Sequence, residues 1–364
     1  MEEEFDFKNI LIKLVNKGAS DIHLHVDEHP YARINGAMVR VNYPALSENN
    51  ILKILDTISP LMLKNEILTA LDMDFSYELK GVTRFRVNLN RQLGKVSIIM
   101  RVIPYEIPSI EELNLLECIK DFCHFPNGLC FVTGPTGSGK STTMAALLEI
   151  INQNHRKHIV TIEEPIEYIY TNKKSIFTQR QIGIDTASFN DGVKYALRQD
   201  PDVIMIGEVR DQETMSSALK AAETGHLVFA TLHTNNAVQT IQRAVSLYEP
   251  VDREYIRAQV SSVLRGVISQ KLLPSTDGIH RVPALEVLTM TPTTKDLIEK
   301  DRLDEIYELN RQGAISNLIT LNSQLNELVK NLAVKKEDAM DASYNKNELE
   351  QMLRGVYHGT RDEV

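Results

Sequence analysis

At 364 residues, 43% of them hydrophobic and with a formal net charge of −9, the chain has length for roughly two or three domains with real apolar cores. Its acidic balance argues against nonspecific binding to nucleic acid or to an anionic membrane surface. Cys118, Cys123 and Cys130 lack the spacing of a zinc site or disulfide framework, no apolar run reaches the ~18 residues of a membrane span, and Met1-Glu2-Glu3-Glu4 is acidic where a signal peptide is basic, so reduced thiols and a cytoplasmic location are expected.

A first, α+β unit is expected over residues 1–103. Residues 10–15 read as a short amphipathic helix, and Tyr31-Ala32-Arg33-Ile34 and Met38-Val39-Arg40-Val41 alternate about Asn35-Gly36, which is a hairpin signal. Residues 48–71 read as helical. Alternation returns in Arg84-Phe85-Arg86-Val87-Asn88-Leu89 and over residues 96–102, completing a sheet. Pro104-Tyr105-Glu106-Ile107-Pro108 breaks the pattern and marks a linker, residues 104–112. Beyond it, apolar strands over 129–132, 158–162, 203–206 and 227–232 alternate with helical stretches, so a mostly parallel sheet between helices is expected over 113–290. From residue 253 onward the pattern reads as mainly helical, with C-terminal helices over 291–340. Residues 341–364 read as a polar, loosely held tail.

Gly134-Pro135-Thr136-Gly137-Ser138-Gly139-Lys140-Ser141 matches G-x-x-x-x-G-K-[ST] and follows the apolar run Leu129-Cys130-Phe131-Val132. The chemistry needs these residue types because glycines let consecutive backbone N–H groups curl around a polyphosphate. Lys140 then reaches the β- and γ-phosphates and the Ser141 hydroxyl holds Mg²⁺, while a helix running from Thr142 turns its positive end toward the anion. ATP with Mg²⁺ is the expected ligand.

Three further clusters fall at the C-terminal ends of predicted strands, the sheet edge where ligands bind in such folds. Thr161-Ile162-Glu163-Glu164-Pro165-Ile166-Glu167 brings carboxylates beside a proline, suited to a water-bridged metal or to orienting a nucleophilic water, although taken alone the cluster fits a solvated acidic loop better. In Asp202-Val203-Ile204-Met205-Ile206-Gly207-Glu208 an apolar strand delivers Glu208 to the edge as a Walker B strand delivers its acid. Gly207 stands where many P-loop enzymes carry a metal-binding Asp, so Glu208 is expected to meet Mg²⁺ through water. The segment from Glu223 to Thr234 predicts a strand ending at His233, placed to donate to a γ-phosphate; His226, before that strand, is the weaker candidate.

In this order GPTGSGKSTT, TIEEPIEY, RQDPDVIMIGEVRD and AAETGHLVFATLHT resemble the Walker A, Asp box, Walker B and His box of the secretion ATPase superfamily that powers type II secretion and type IV pili. Gly18-Ala19-Ser20-Asp21-Ile22-His23-Leu24, Arg84-Phe85-Arg86-Val87-Asn88 and Arg101-Val102-Ile103-Pro104 are similar to its PAS-like N-terminal domain. The resemblance therefore covers nearly the whole chain. Members driving assembly or secretion usually carry a four-cysteine zinc loop after the His box, and no cysteine follows Cys130 here, which points to the pilus-retraction branch.

The resemblance implies an α/β fold: a PAS-like α+β domain, then a RecA-like P-loop ATPase domain with a helical C-terminal region. It also implies a homo-hexameric ring in which each N-terminal domain meets a neighbour's RecA-like domain, with ATP between the two domains. The ring would dock at the inner face of the cytoplasmic membrane on a platform protein of the pilus machinery, held to the membrane only through partners, and retract pili. On this reading Glu208 polarises the attacking water, and Glu163 and Glu164 order that water or the metal shell, although the family often has Asp in place of Glu164. Arg86 and Arg101 match positions that approach the phosphates as arginine fingers. Arg84 is expected on the other face of its strand. Thr293-Thr294-Lys295-Asp296-Leu297-Ile298-Glu299-Lys300 departs from the family's retraction motif AIRNLIRE, with Leu297 and Ile298 kept and Lys295 and Glu299 in place of arginines. Alternatives are an accessory, assembly or secretion motor of the same family, a RecA-like DNA translocase and a non-hydrolysing nucleotide-binding scaffold; no nucleic-acid partner is expected.

Overall fold

The computed structural model describes residues 6–34, 36–103, 106–315 and 317–355. The acidic first residues, Asn35 of the expected hairpin turn, Pro104 and Tyr105 of the expected linker, and the tail beyond Gly355 lie outside them. The chain forms two compact units: Met1–Ile107 with Glu164–Ile169 and Gln181–Asp185, and Pro108–Glu163 with Tyr170–Arg180 and Thr186–Val364.

The first unit contains α1 (Phe7–Asn16), β1 (Ala19–His25), β2 (Tyr31–Ile34), β3 (Ala37–Arg40), α2 (Glu48–Ile58), β4 (Asp72–Leu79), β5 (Thr83–Gln92) and β6 (Lys95–Ile103). Its strands lie in the order β3-β2-β1-β6-β5-β4, each pair antiparallel. Period-2 patterning decides which face is covered: in β5, Phe85, Val87 and Leu89 are buried while Arg84, Arg86 and Asn88 are half-buried on the opposite face. The apolar face packs with Leu11 of α1 and Ile51, Ile54 and Leu55 of α2 into one core. Two sequence expectations need correction. The helix expected over 48–71 stops at Ile58, because Ser59 turns extended (φ −73°, ψ 133°) ahead of Pro60, which disfavours helix at the residue before it. Arg84 shares a face with Arg86, since the two are two positions apart along the strand with Phe85 between them; it donates to Ser76 Oγ at 2.5 Å, and Ser76 stands opposite Arg86 in the β4–β5 register.

The second unit begins with a 3-10 helix (Glu117–His124) and continues through β7 (Gly128–Thr133), α3 (Lys140–Asn154), β8 (His158–Glu163), β9 (Ile176–Gln181), α4 (Phe189–Ala196), β10 (Val203–Ile206), α5 (Gln212–Glu223), β11 (Leu227–Leu232), α6 (Ala237–Ser246) and α7 (Arg253–Val263). It closes with β12 (Leu264–Pro274), β13 (Arg281–Thr289), α8 (Pro292–Glu299), α9 (Glu305–Arg311), β14 (Leu318–Ile319), α10 (Leu321–Lys330), α11 (Lys336–Ala342) and α12 (Lys346–Leu353). The sheet order is β14-β13-β12-β7-β11-β10-β8-β9. From β12 to β8 neighbouring strands run parallel, and β7, β10 and β11 are buried along their whole length, as strands covered by helices on both faces must be. Antiparallel β13 and β14 extend one side.

Helices predominate after residue 253 as expected, but a strand pair interrupts them: α7 runs directly into β12, and the β12–β13 hairpin contributes two long strands. Gly266 to Gln270 in β12 are buried without a break, so this strand lacks the alternation that distinguishes a strand from a buried helix. Residues 341–353, expected in a loose tail, lie instead in α11, its C-cap and α12, where Leu349 joins Leu273, Ala284, Leu321 and Leu325 in a small core. Among the described residues no helix is long and apolar enough to cross a membrane.

Candidate active site

Buried β7 delivers its following loop to the C-terminal edge of the parallel strands. Gly134 (φ +147°), Gly137 (φ +76°) and Gly139 (φ +88°) shape that loop. At Gly134 a Cβ would collide with the carbonyl oxygen of Gln270, and at Gly139 it would come within 2.8 Å of Gln270 Nε2. Gly134 therefore requires glycine on two counts, backbone conformation and a backbone atom in the way, and Gly139 on its positive φ. Ser138 Oγ is buried without a hydrogen-bond partner among the described residues. A glycine-only cradle beside an orphaned hydroxyl fits an oxygen-rich polyphosphate. Pro135 and Thr136 are exposed on the loop, and Ser141 and Thr142 lie on the accessible first turn of α3. The Ser141 hydroxyl and the Glu208 carboxylate are hard oxygen donors of the kind Mg²⁺ takes.

Lys140 Nζ donates to the carbonyls of Gly134 (2.8 Å) and Pro135 (3.0 Å) and lies 3.5 Å from His233 Nδ1. On its other side, His233 Nε2 is 3.2 Å from Glu208 Oε1. An ammonium only donates and an ionised carboxylate only accepts, so this geometry selects the neutral Nε2–H tautomer of His233. Glu208 Oε2 accepts from Arg210 at 2.8 Å. Partial burial pushes the Glu208 carboxyl up, but the Arg210 bond and charge, with His233 and Lys140 nearby, outweigh it and hold the group below the usual carboxylate range.

Backbone bonds fix Glu208 in place. The Gly207 N–H donates to Ile162 O at 2.8 Å and the Val209 N–H to Thr231 O at 3.0 Å, while the Thr231 hydroxyl donates to Gly207 O. A Cβ on Gly207 would lie 3.1 Å from Ile162 O and 3.4 Å from Glu163 Cα. The close approach of β8 and β10 thus explains the glycine at the place where other P-loop enzymes carry Asp.

The three acidic residues at and beyond the end of β8 go three ways. Glu163 is only 6% exposed and accepts from Thr161 Oγ1 at 2.7 Å and Gln179 Nε2 at 3.3 Å. Glu164, exposed, precedes a cis peptide bond to Pro165, and Glu167 pairs with Arg86 at 3.8 Å in the first unit. Arg86 and Arg101 stand directly opposite one another in the β5–β6 register. The structure thus gathers the loop, Lys140, His233 and Glu208 at one edge of the second unit, and the two arginines on one face of the first. His226 lies at the other end of β11 from His233, with Nδ1 2.9 Å from Ala221 O.

Sequence reasoning missed the loop's support. Gln270 Oε1 accepts from Thr143 Oγ1 at 2.6 Å, Ser269 Oγ bonds Thr133 Oγ1 at 2.8 Å, and Arg281 Nη1 donates to Gly137 O at 3.4 Å. The signal was a polar stretch, Ser269-Gln270-Lys271, between the apolar pairs Val267-Ile268 and Leu272-Leu273. In α8, Leu297 and Ile298 are buried and Glu299 Oε1 accepts from Ser261 Oγ of α7 at 2.9 Å, so this divergent segment packs its apolar pair and ties one of its altered charges to the neighbouring helix.

A glycine loop leading from a buried parallel strand into a helix, with a lysine and a strand-end glutamate beside it, defines a P-loop nucleotide-hydrolysing protein. More narrowly, the chain belongs to the family described as Type II/IV secretion system protein, whose model matches residues 3–362. It is 39% identical to the Type IV pilus retractation ATPase PilT of Pseudomonas aeruginosa over 336 residues, 92% of this chain and 97% of that one. It is 36% identical to the Type IV pilus ATPase PilU of the same organism over 350 residues, 96% of this chain and 91% of that one. A crystal structure of the pilus retraction motor PilT with bound ADP matches with a TM-score of 0.89 at 42% identity, covering 96% of this chain and all (100%) of that one.

Proposed function

We propose that this chain is the ATP-hydrolysing motor of type IV pilus retraction, working as a homo-hexamer in the cytoplasm against an inner-membrane platform protein. The observation that carries the reading is the Lys140–His233–Glu208 cluster beside a loop that admits only glycine at Gly134 and Gly139, in a chain 39% identical to PilT. Backbone N–H groups of the loop and Lys140 hold the phosphates. Ser141 would hold Mg²⁺ directly and Glu208 would hold it through water; when bound, the ion neutralises charge on the phosphate oxygens. Glu208, kept ionised, polarises the attacking water and takes up its proton. His233 positions that carboxylate through Nε2–H and meets Lys140 through Nδ1, so that it links the phosphate-binding lysine to the glutamate. Glu163 and Glu164 order water or the metal shell at the end of β8, and Arg86 and Arg101 stabilise the phosphates during transfer. Closure and release around the ring would then move the platform protein.

The test is Glu208→Gln, which keeps size and loses charge. Hydrolysis is expected to fall by about 100-fold or more while nucleotide still binds. Cells with this variant as their only copy should accumulate immobile surface pili; cells without pili would assign the protein to assembly instead.

A further inference from the structure

We propose that Asp21 is a positioning residue that sets Arg101 for its contact with the nucleotide phosphates; the proposal rests on the arginine reading above. Across the sheet of the first unit, Asp21 stands opposite Arg101 in the β1–β6 register and Arg101 opposite Arg86 in the β5–β6 register. One carboxylate and two guanidinium groups thus form a row over three adjacent strands. Residues directly opposite on antiparallel strands have Cβ atoms roughly 5 Å apart, and like charges so placed repel. Asp21 sits between Arg101 and Arg33, which stands opposite it in the β1–β2 register, and Glu167 pairs with Arg86; these carboxylates let the arginines share the face.

Asp21 is built for that place. It is only 8% exposed although it lies on the face away from the apolar core, and Oδ1 accepts Arg101 Nε–H at 2.9 Å while Oδ2 accepts the Ser20 hydroxyl at 2.9 Å. Burial raises the Asp21 carboxyl, but the Arg101 and Ser20 bonds outweigh it and hold the group below its ordinary range. The side chain of Arg101, by contrast, is 67% exposed. An exposed arginine samples many rotamers; a bond through Nε to a short, buried carboxylate removes most of them. It also leaves both Nη groups, the edge that grips two oxygens of an anion at once, outside the contact.

The test compares Asp21→Ala, Asp21→Asn, Arg101→Ala and the Asp21→Ala/Arg101→Ala double variant in the full chain. Arg101→Ala should lower kcat by about 100-fold and Asp21→Ala by about 10-fold, the latter with KM for ATP and the thermal midpoint near wild type. Asp21→Asn, which keeps an acceptor oxygen for Nε–H, should recover most of the rate, and the double variant should be no slower than Arg101→Ala. Wild-type kcat in Asp21→Ala beside a crippled Arg101→Ala would overturn the proposal, as would a double variant whose losses multiply or a loss that follows the thermal midpoint. Wild-type kcat in Arg101→Ala would overturn the arginine reading itself, and the proposal with it.

Discussion

Gly134 is set by what lies across from it, the backbone of Gln270, and Gly139 by its positive φ. The Gln270 carbonyl belongs to β12, which is paired on both sides, with β7 and with β13, so it has nowhere to retreat. Gly134→Ala should therefore lift the loop off β12 and weaken nucleotide binding by about 100-fold or more, read by titration with a fluorescent ADP analogue. Gln270→Ala asks a different question. It strips the Thr143 hydroxyl, itself buried, of its partner, a loss of about 1–3 kcal/mol. A lower thermal midpoint and roughly 10-fold weaker ADP binding are expected; wild-type affinity would show that the loop needs no such strut. The glycines were legible in the sequence because the motif is contiguous and its chemistry local. Gln270 was not, because only the placing of β12 beside β7 brings it to the loop. Likewise the sequence placed His233 at a strand end, but its bridge between Lys140 and Glu208 depends on side-chain positions that no pattern encodes.

Elements were legible where periodicity was clean or where an apolar run was bracketed by motifs. β5 declared itself by alternation, and β7, β10 and β11 by short apolar runs leading into chemistry. β12 failed on the same physics, since a strand buried on both faces carries no period and here no catalytic motif marked its end. One residue stitches the parallel strands where they enter the sheet. Asp202 accepts the His158 N–H at 2.9 Å and Lys157 Nζ at 2.9 Å, and its carbonyl accepts from Leu227, the first residue of β11. Burial raises its carboxyl, but the His158 N–H and Lys157 lower it further, so its folded pKa lies below the ordinary value. A depressed carboxylate stabilises the fold above its unfolded pKa of about 3.9 and loses that contribution as pH falls through the folded value. Asp202→Asn should accordingly melt below wild type at neutral pH, with the gap closing as pH drops under about 4. Thermal unfolding of both proteins across that range checks it; a gap independent of pH would mean that the ionised form adds nothing.

At the scale of the whole molecule the groups proposed to act on one ATP are divided: Lys140, Ser141, Glu208 and His233 belong to the second unit, Arg86 and Arg101 to the first. In the proposed ring each chain's arginines would serve either their own P-loop or a neighbour's, and the two cases differ in what mixing can rescue. Lys140→Ala and Arg101→Ala each remove one half of a site, so each protein alone should hydrolyse ATP poorly. If the arginines act on their own chain's nucleotide, every chain in a mixed ring still carries one defect and no site is whole. If they act across the ring, a site is whole wherever an intact Lys140 meets an intact Arg101 from the next chain, about one site in four under random mixing of equal amounts. The neighbour-serving arrangement is the expected one. Rings carrying both variants, isolated through two different tags after co-expression, should then hydrolyse ATP well above either variant alone. No gain in rings shown to contain both chains would place the arginines on their own chain's nucleotide and remove the need for a neighbour in catalysis.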